Sequence, residues 1–114
     1  MPWLAGSSIA VDPRTGEVVV ADGDNDAVAF ADAAATRVQR RVRLGAGARP
    51  EQVVVGPDGR AWVTLRGTGE VAVIHGPQVR RIPVGVEPFG IALAPRGDRA
   101  FVTMTGRACS CRSR

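Results

Sequence analysis

Residues 80–104, RRIPVGVEPFGIALAPRGDRAFVTM, repeat residues 40–65, RRVRLGAGARPEQVVVGPDGRAWVTL. Arg40 falls on Arg80 and Gly45 on Gly85; after a short contraction Pro50 falls on Pro88 and Pro57 on Pro95. An earlier copy, IAVDPRTGEVVVAD at 9–22, sets Pro13 against Pro57. Self-similarity at a period of about 40 residues means one supersecondary unit built several times, each burying its apolar side against the next.

Every copy has the same internal order. First come short apolar runs, SIAV, QVVV and GIAL, each followed by a turn, DPRTG, GPDG and APRGD, in which Pro presets φ and Gly supplies φ > 0. Second runs follow as EVVVA, RAWVT and RAFVT, and third runs as AVAFAD and EVAVIH, where Val71 and Val73 alternate with Ala72 and Ile74 in the two-residue period of a strand. Basic fourth runs, RVQRRVRL and QVRRIPV, complete two of the copies. FADAAATRV has alanines enough for a helical turn but no apolar stripe at helical spacing. The sequence therefore specifies an all-β fold, and four short strands per unit of about 40 residues is the pattern of a β-propeller blade, giving a β-propeller fragment built from four-stranded antiparallel blades. The expected division is a lead-in at 1–8, blades at 9–51 and 52–89, the first half of a third at 90–106, and an irregular tail at 107–114.

These residues carry a family resemblance. VGVEPFGIALAPRGDRAFVTM, 84–104, resembles the repeat of the YVTN family of bacterial β-propellers, V-G-x-x-P-x-G-I-A-x-S-P-D-G-x-x-x-Y-V-T-N. Val84, Gly85, Pro88, Gly90, Ile91, Ala92, Pro95, Gly97, Val102 and Thr103 match it; Phe101 and Trp62 replace its Tyr, and Met104, Leu65 and Asp22 its Asn. The likeness runs over about residues 9 to 106. It implies the fold, a periplasmic or extracellular home, and a family of mostly undefined biochemistry, some of whose members are fused to haem domains. No signal peptide is legible in MPWLAGSSIAVDP, which lacks a basic start and a long apolar run.

ADGDNDAVAF, 21–30, is the stretch closest to metal chemistry, with Asp22, Asp24 and Asp26 around Asn25. An EF-hand loop needs Gly at its sixth place and Glu at its twelfth, and here stand Ala27 and Ala33. Laid on the second blade, the three carboxylates fall over Leu65, Gly67 and Gly69, so that blade makes the same bend without them. Asp and Asn suit tight turns because they bond their own backbone and tolerate left-handed geometry, and a turn is the preferred reading.

Other chemistry fails on spacing. His75 is the one histidine and ends a strand; no G-x-S-x-G elbow surrounds Ser7, Ser8, Ser110 or Ser113, and GAGARPEQ opens no helix after a strand. Cys109 and Cys111 form a C-x-C pair that is neither a zinc knuckle nor a haem attachment motif. Glu51 and Glu87 flank the turn prolines Pro50 and Pro88 on opposite sides, so they do not repeat as an axial metal site would require. No catalytic, cofactor-binding or metal residue is assigned and no cofactor is expected.

All fifteen basic residues are Arg, against eleven acids, for a net charge of +4. They are not gathered with the aromatics Trp3, Phe30, Trp62, Phe89 and Phe101 into one stripe, so no nucleic-acid partner is expected, nor a membrane one. The arginines of the fourth strands are read as protection of an open sheet edge. After Gly106 the apolar pattern gives way to RACSCRSR, which we read as a break in coding near Arg107 and the chain as a fragment of a longer protein. A closed ring takes about four to eight blades, so exposed blade faces are expected to drive self-association. The functional expectation is a non-enzymatic scaffold binding a protein or small ligand at its loop rim; the alternative is part of a lactonase-like hydrolase or of a haem-fused propeller.

Overall fold

The computed structural model describes residues 4–32, 34 and 37–112, and within them the chain is strand, turn and loop with no helix. Trp3, Ala33 and Ser113 lie outside that set. After β1 (Leu4–Ala5), the strands β2 (Ile9–Val11), β3 (Glu17–Asp22), β4 (Ala27–Asp32) and β5 (Arg37–Arg43) form one antiparallel meander in chain order. β6 (Pro50–Val55), β7 (Ala61–Leu65), β8 (Glu70–His75) and β9 (Gln78–Pro83) form a second. β10 (Ile91–Leu93), β11 (Arg99–Met104) and β12 (Arg107–Arg112) form a third, to which β1 adds on the free edge of β10. Three four-stranded sheets side by side are three propeller blades.

Turn chemistry explains why the strands reverse where they do. Gly16, Gly59 and Gly97 hold φ of 76°, 85° and 78° in the first turn of each blade, a region an L-residue rarely enters. In that turn Asp12 accepts from the Arg14 amide at 2.8 Å and Asp58 from the Arg60 amide at 3.1 Å. The threonine of each V-T pair also has a physical role. Thr64, fully buried, accepts the Gln52 amide at 3.1 Å and donates to the Phe89 carbonyl at 2.8 Å, which fastens the second blade to the loop leading into the third. Thr103 accepts the Gly90 amide in the same way, at 3.0 Å.

The period-two pattern gives every blade two apolar faces. On the second blade Val53, Val55, Ala61, Val63, Leu65, Ala72 and Ile74 meet Val19, Ala21, Val28 and Phe30 of the first. Its other face, Val54, Trp62, Val71 and Val73, meets Ile91, Leu93, Ala100 and Val102 of the third. Removing such a Val or Leu from water is worth about 1.5–3 kcal/mol, so these two dry seams hold the sheets together far more than the turns do.

At the carboxyl end an expectation is corrected, and at the amino end the lead-in gains a structural role. The stretch read as an irregular tail forms β12 from Arg107 to Arg112, paired along its length with β11. A strand needs backbone pairing and alternation rather than many apolar residues, and C-x-C supplies the alternation: Cys109 and Cys111 face the second blade while Ser110 faces out. The third copy thus contributes three strands, not a first half alone. The lead-in is also structured. Gly6 donates to the Ile91 carbonyl at 2.7 Å and Ser7 bridges to Val53, so residues 4–11 pass along the third blade, the second and then into the first. A Cβ at Gly6 would stand 2.5 Å from Ile91 Cγ2, which is why glycine sits at this crossing.

The fourth-strand arginines do more than guard an edge. Arg40 stacks on Phe30 with its guanidinium carbon 4.3 Å from the ring centroid and donates to the Gly76 carbonyl of the second blade at 2.8 Å. Arg81 donates to the Leu44 carbonyl, back toward the first blade, and pairs with Glu70 at 3.4 Å.

Candidate functional site

Strand direction sorts the loops onto two faces. The turns between the first and second strands of each blade lie on one; the turns between second and third strands, 23–26 and 66–69, and the interblade loops 44–49 and 84–90 lie on the other. Loops set on a rigid scaffold are where a fold of this kind carries its function.

The opening acidic stretch belongs to this second face, and its carboxylates work separately. Asp26, at φ 51°, ends the turn between β3 and β4 and accepts two amides of the neighbouring interblade loop, Gly47 at 3.0 Å and Arg49 at 2.8 Å. Those amides hold its carboxyl below the usual carboxylate range. Asp22 accepts from the Asn25 side-chain amide at 2.8 Å and from Arg41 at 3.3 Å, and its carboxyl too is lowered, chiefly by Asn25. Asp24 is exposed. Among the described residues no three His, Cys, Asp or Glu stand close enough to share a metal ion. The stretch is a turn that ties one blade to the loop of the next.

Between the second and third blades the same face holds a cleft of about 330 Å³, lined by Arg49, Arg66, Gly67, Gly69, Val86 and Glu87 among others. Its walls are fixed by backbone bonds: the Arg66 amide donates to the Arg49 carbonyl at 3.0 Å, the Gly67 amide to Ala48 at 2.9 Å, and the Val84 amide to Gly69 at 2.9 Å. Arg49 and Glu87, at equivalent repeat positions before Pro50 and Pro88, both take left-handed φ, 52° and 50°. Both loops share this unfavourable geometry, which persists because the surrounding structure holds it.

Charge in the cleft is balanced. Arg66 pairs with Glu51 at 3.4 Å and lies 5.9 Å over the Phe89 ring; Glu87 accepts the Thr105 hydroxyl at 3.3 Å. Beside them Val86 is 73% exposed and Phe89 47%. Glu51 and Glu87, weighed in the sequence as an axial carboxylate pair, hold separate partners here. The cleft was not legible as a site from the sequence, because Arg49, Arg66 and Val86 come from three separate loops and match no motif. The one available signal was the departure of each interblade loop, GAGARPE against GVEPFG, from an otherwise regular repeat.

The remaining candidates lie elsewhere. His75 is exposed at the far end of β8, paired through its backbone with Gln78. The Ser7 hydroxyl is spent on the Ile9 carbonyl two residues on. Cys111 faces the core, where burial and Cys109 push its thiol up to about 11, so it stays protonated at neutral pH and is a poor nucleophile.

Blade architecture and loop geometry together define the class: the chain is a set of β-propeller blades. Solved structures agree. It superposes on a hydrazine synthase from Kuenenia stuttgartiensis with TM-score 0.75 and 28% identity, over 84% of this chain and 28% of that one. It superposes on a virginiamycin B lyase from Staphylococcus aureus, determined with quinupristin, with TM-score 0.76 and 15% identity, over 96% of this chain and 41% of that one. A streptogramin B lyase gives TM-score 0.67 at 14% identity, over 94% of this chain and 40% of that one. The chain therefore spans well under half the length of these structures. No protein-family model matches the sequence, and no curated protein matches it.

Proposed function

We propose that this chain is a non-enzymatic propeller module, part of a longer propeller, that binds a protein or small ligand on its interblade loop face. One observation supports this above the others: Val86, the most exposed of the large apolar side chains among the described residues, stands at a cleft whose walls are locked by backbone bonds and flanked by both signs of charge. A preformed groove with an apolar centre and a few placed charges is what ligand recognition requires. An extended peptide with one apolar residue beside an acidic one fits that chemistry. The resemblance to bacterial surface and periplasmic propellers is what supports a home outside the cytoplasm.

The test is selection of peptides from a display library on the 114-residue chain, followed by titration against Val86→Asp and Arg66→Glu. The selected peptides are expected to bind each variant at least about tenfold more weakly, a loss of about 1.4 kcal/mol or more. Peptides that bind the variants as well as the parent, or no selection at all, would overturn the reading. The second reading, a propeller forming part of an enzyme, draws on neighbours that are themselves enzymes. Turnover of a chromogenic lactone by the purified chain would favour it over the first.

A further inference from the structure

Blades of a propeller pack face to face around an axis, so the outer edge of each fourth strand stays on the perimeter however many blades complete the ring. Among the described residues two such edges stand open, β5 on the first blade and β9 on the second, each with a sheet neighbour on one side only. A strand edge of this kind is a row of unpaired N–H and C=O groups, and proteins guard it with bulges, proline and charge. The two edges are guarded unequally. β5 carries a register shift against β4 at Phe30/Ala31, with four arginines and no acid of its own. β9 pairs with β8 without a break from Gln78 to Pro83, and its one proline stands at the last position. Residues 78–81 are exposed although the blade that carries them is packed on both faces. In order the edge reads Val79, Arg80, Arg81, Ile82. By register Arg80 and Ile82 share the side of Val73 and Val71, toward the third blade, while Arg81 and Val79 share the side of Ala72 and Ile74, toward the first.

We infer that the β9 edge takes an extended acidic segment of a partner protein as a fifth strand of the middle blade. Main-chain bonds along such an edge give affinity, and the side chains opposite give selectivity. A residue opposite Arg80 lies on one side of the added strand and its neighbour, opposite Arg81, on the other, so two consecutive carboxylates answer both guanidiniums. Val79 and Ile82 favour apolar residues at the flanks. The resulting pattern, apolar-acidic-acidic-apolar, reads the same in both directions. Arg81 pairs with Glu70 at 3.4 Å and donates to the Leu44 carbonyl, which fixes its guanidinium on the first-blade side of the strand. A second β9 in the matching register would set arginine against arginine, and like charges directly opposite destabilise a strand pair. Admitting an acidic strand and refusing a basic copy are therefore one property. The inference goes beyond the loop cleft: it uses the backbone of a strand edge and no loop residue, so either can fail alone.

The probe is a labelled synthetic peptide with the core valine-aspartate-glutamate-valine, followed by fluorescence anisotropy on the 114-residue chain. Saturable binding is expected, weakening as salt rises. Three comparisons decide the matter. The same peptide N-methylated at both acidic residues keeps every charge but loses an amide that faces the edge, because successive amides of a strand point to opposite sides. It should bind at least about tenfold more weakly. A peptide with lysines in place of the acids should not bind the parent, and should bind the double variant Arg80→Glu, Arg81→Glu better than the acidic peptide does. Hydrogen exchange with the acidic peptide bound should slow at β9 and stay unchanged at β5. Equal binding of the N-methylated peptide, or protection at loops 44–49 and 84–90 in place of β9, overturns the added strand, as does a lack of binding up to about 1 mM. Because Arg81 also ties the blades together, circular dichroism checks the fold of the double variant; should it unfold, the N-methylated peptide and the exchange pattern decide alone.

Discussion

Trp62 and Phe101 occupy one repeat position in neighbouring blades; the first is fully buried and the second 48% exposed. Nothing in their own strands accounts for this. RAWVT and RAFVT differ by a single residue, and both side chains project from the second strand of a blade toward the side where the next blade belongs. What differs is how far each is covered: Trp62 lies in the seam between two blades, while Phe101 keeps about half its surface in solvent. The middle blade is packed by another blade on both faces, and each of the outer two packs on it through one. In a stacked array the identity of a core residue is a property of the pair of blades rather than of the blade that carries it.

The sharpest way to break this comparison is truncation at both positions. Trp62→Ala empties the seam between the second and third blades and should cost about 3–5 kcal/mol, a large part of the stability of a small domain. Phe101→Ala removes a half-exposed ring and should cost under about 1 kcal/mol in the monomer. Urea denaturation monitored by circular dichroism at a concentration that favours monomer checks both. Equal losses would mean that position, not neighbour, sets the energetics.

A smaller effect is expected at the strap. Gly6→Val forces a side chain into Ile91 Cγ2 and the Ile91 carbonyl, 2.5 Å and 2.9 Å from the new Cβ, and should cost about 1–3 kcal/mol. Hydrogen exchange should rise first at Ile91 and Leu93, which would lose β1, and leave β7 and β8 protected, because the middle blade does not depend on β1 for its faces. Uniform loss of protection across all three sheets would show that the strap, not the seams, organises the array.

Trp62→Phe separates shape from polarity at the covered position. The indole Nε1 of Trp62 is buried with no hydrogen-bond partner among the protein atoms, a group whose desolvation costs about 1–3 kcal/mol. Phenylalanine loses volume but also removes that unpaired donor, and it is the residue the third blade carries at this place. The two effects oppose each other, so stability should change by less than about 1 kcal/mol in either direction. A loss as large as that of Trp62→Ala would mean that the Nε1–H has a bonded partner, such as a buried water.

The architecture was legible because turns and alternation are local, and each copy restates them: proline and glycine fix the first turn of every blade, and strand register follows from which face each valine must bury. The carboxyl end was misread, and the role of the amino end was missed, for the opposite reason. RACSCR was taken for an irregular tail because its apolar content is low, although strand pairing there depends on β11 already being in place. Leu4–Ser8 shows no pattern of its own, since its partners Ile91 and Val53 lie far along the chain. The cleft was hidden in the same manner. Arg49, Arg66 and Val86 meet only once three loops from two blades are laid side by side.

The smallest expected effect contrasts the turn of the first blade with that of the second. Asp26 and Gly69 hold equivalent places with left-handed φ, 51° and 73°, but only the first has a side chain to bond the neighbouring loop. With its carboxyl held below the ordinary value of 3.8 by the Gly47 and Arg49 amides, Asp26 contributes stability that is present above that value and lost as pH falls through its folded one. Thermal melts of the parent should therefore drop more steeply between about pH 5 and pH 2 than those of Asp26→Asn. The amide can still accept one bond from the loop, so near neutrality the two should melt within a few degrees. Asp26 is solvent-facing, so high salt should weaken the contribution of its charge. A parent and variant with the same acid limb would show that loop 44–49 is held by its own backbone, as loop 84–90 must be beside Gly69.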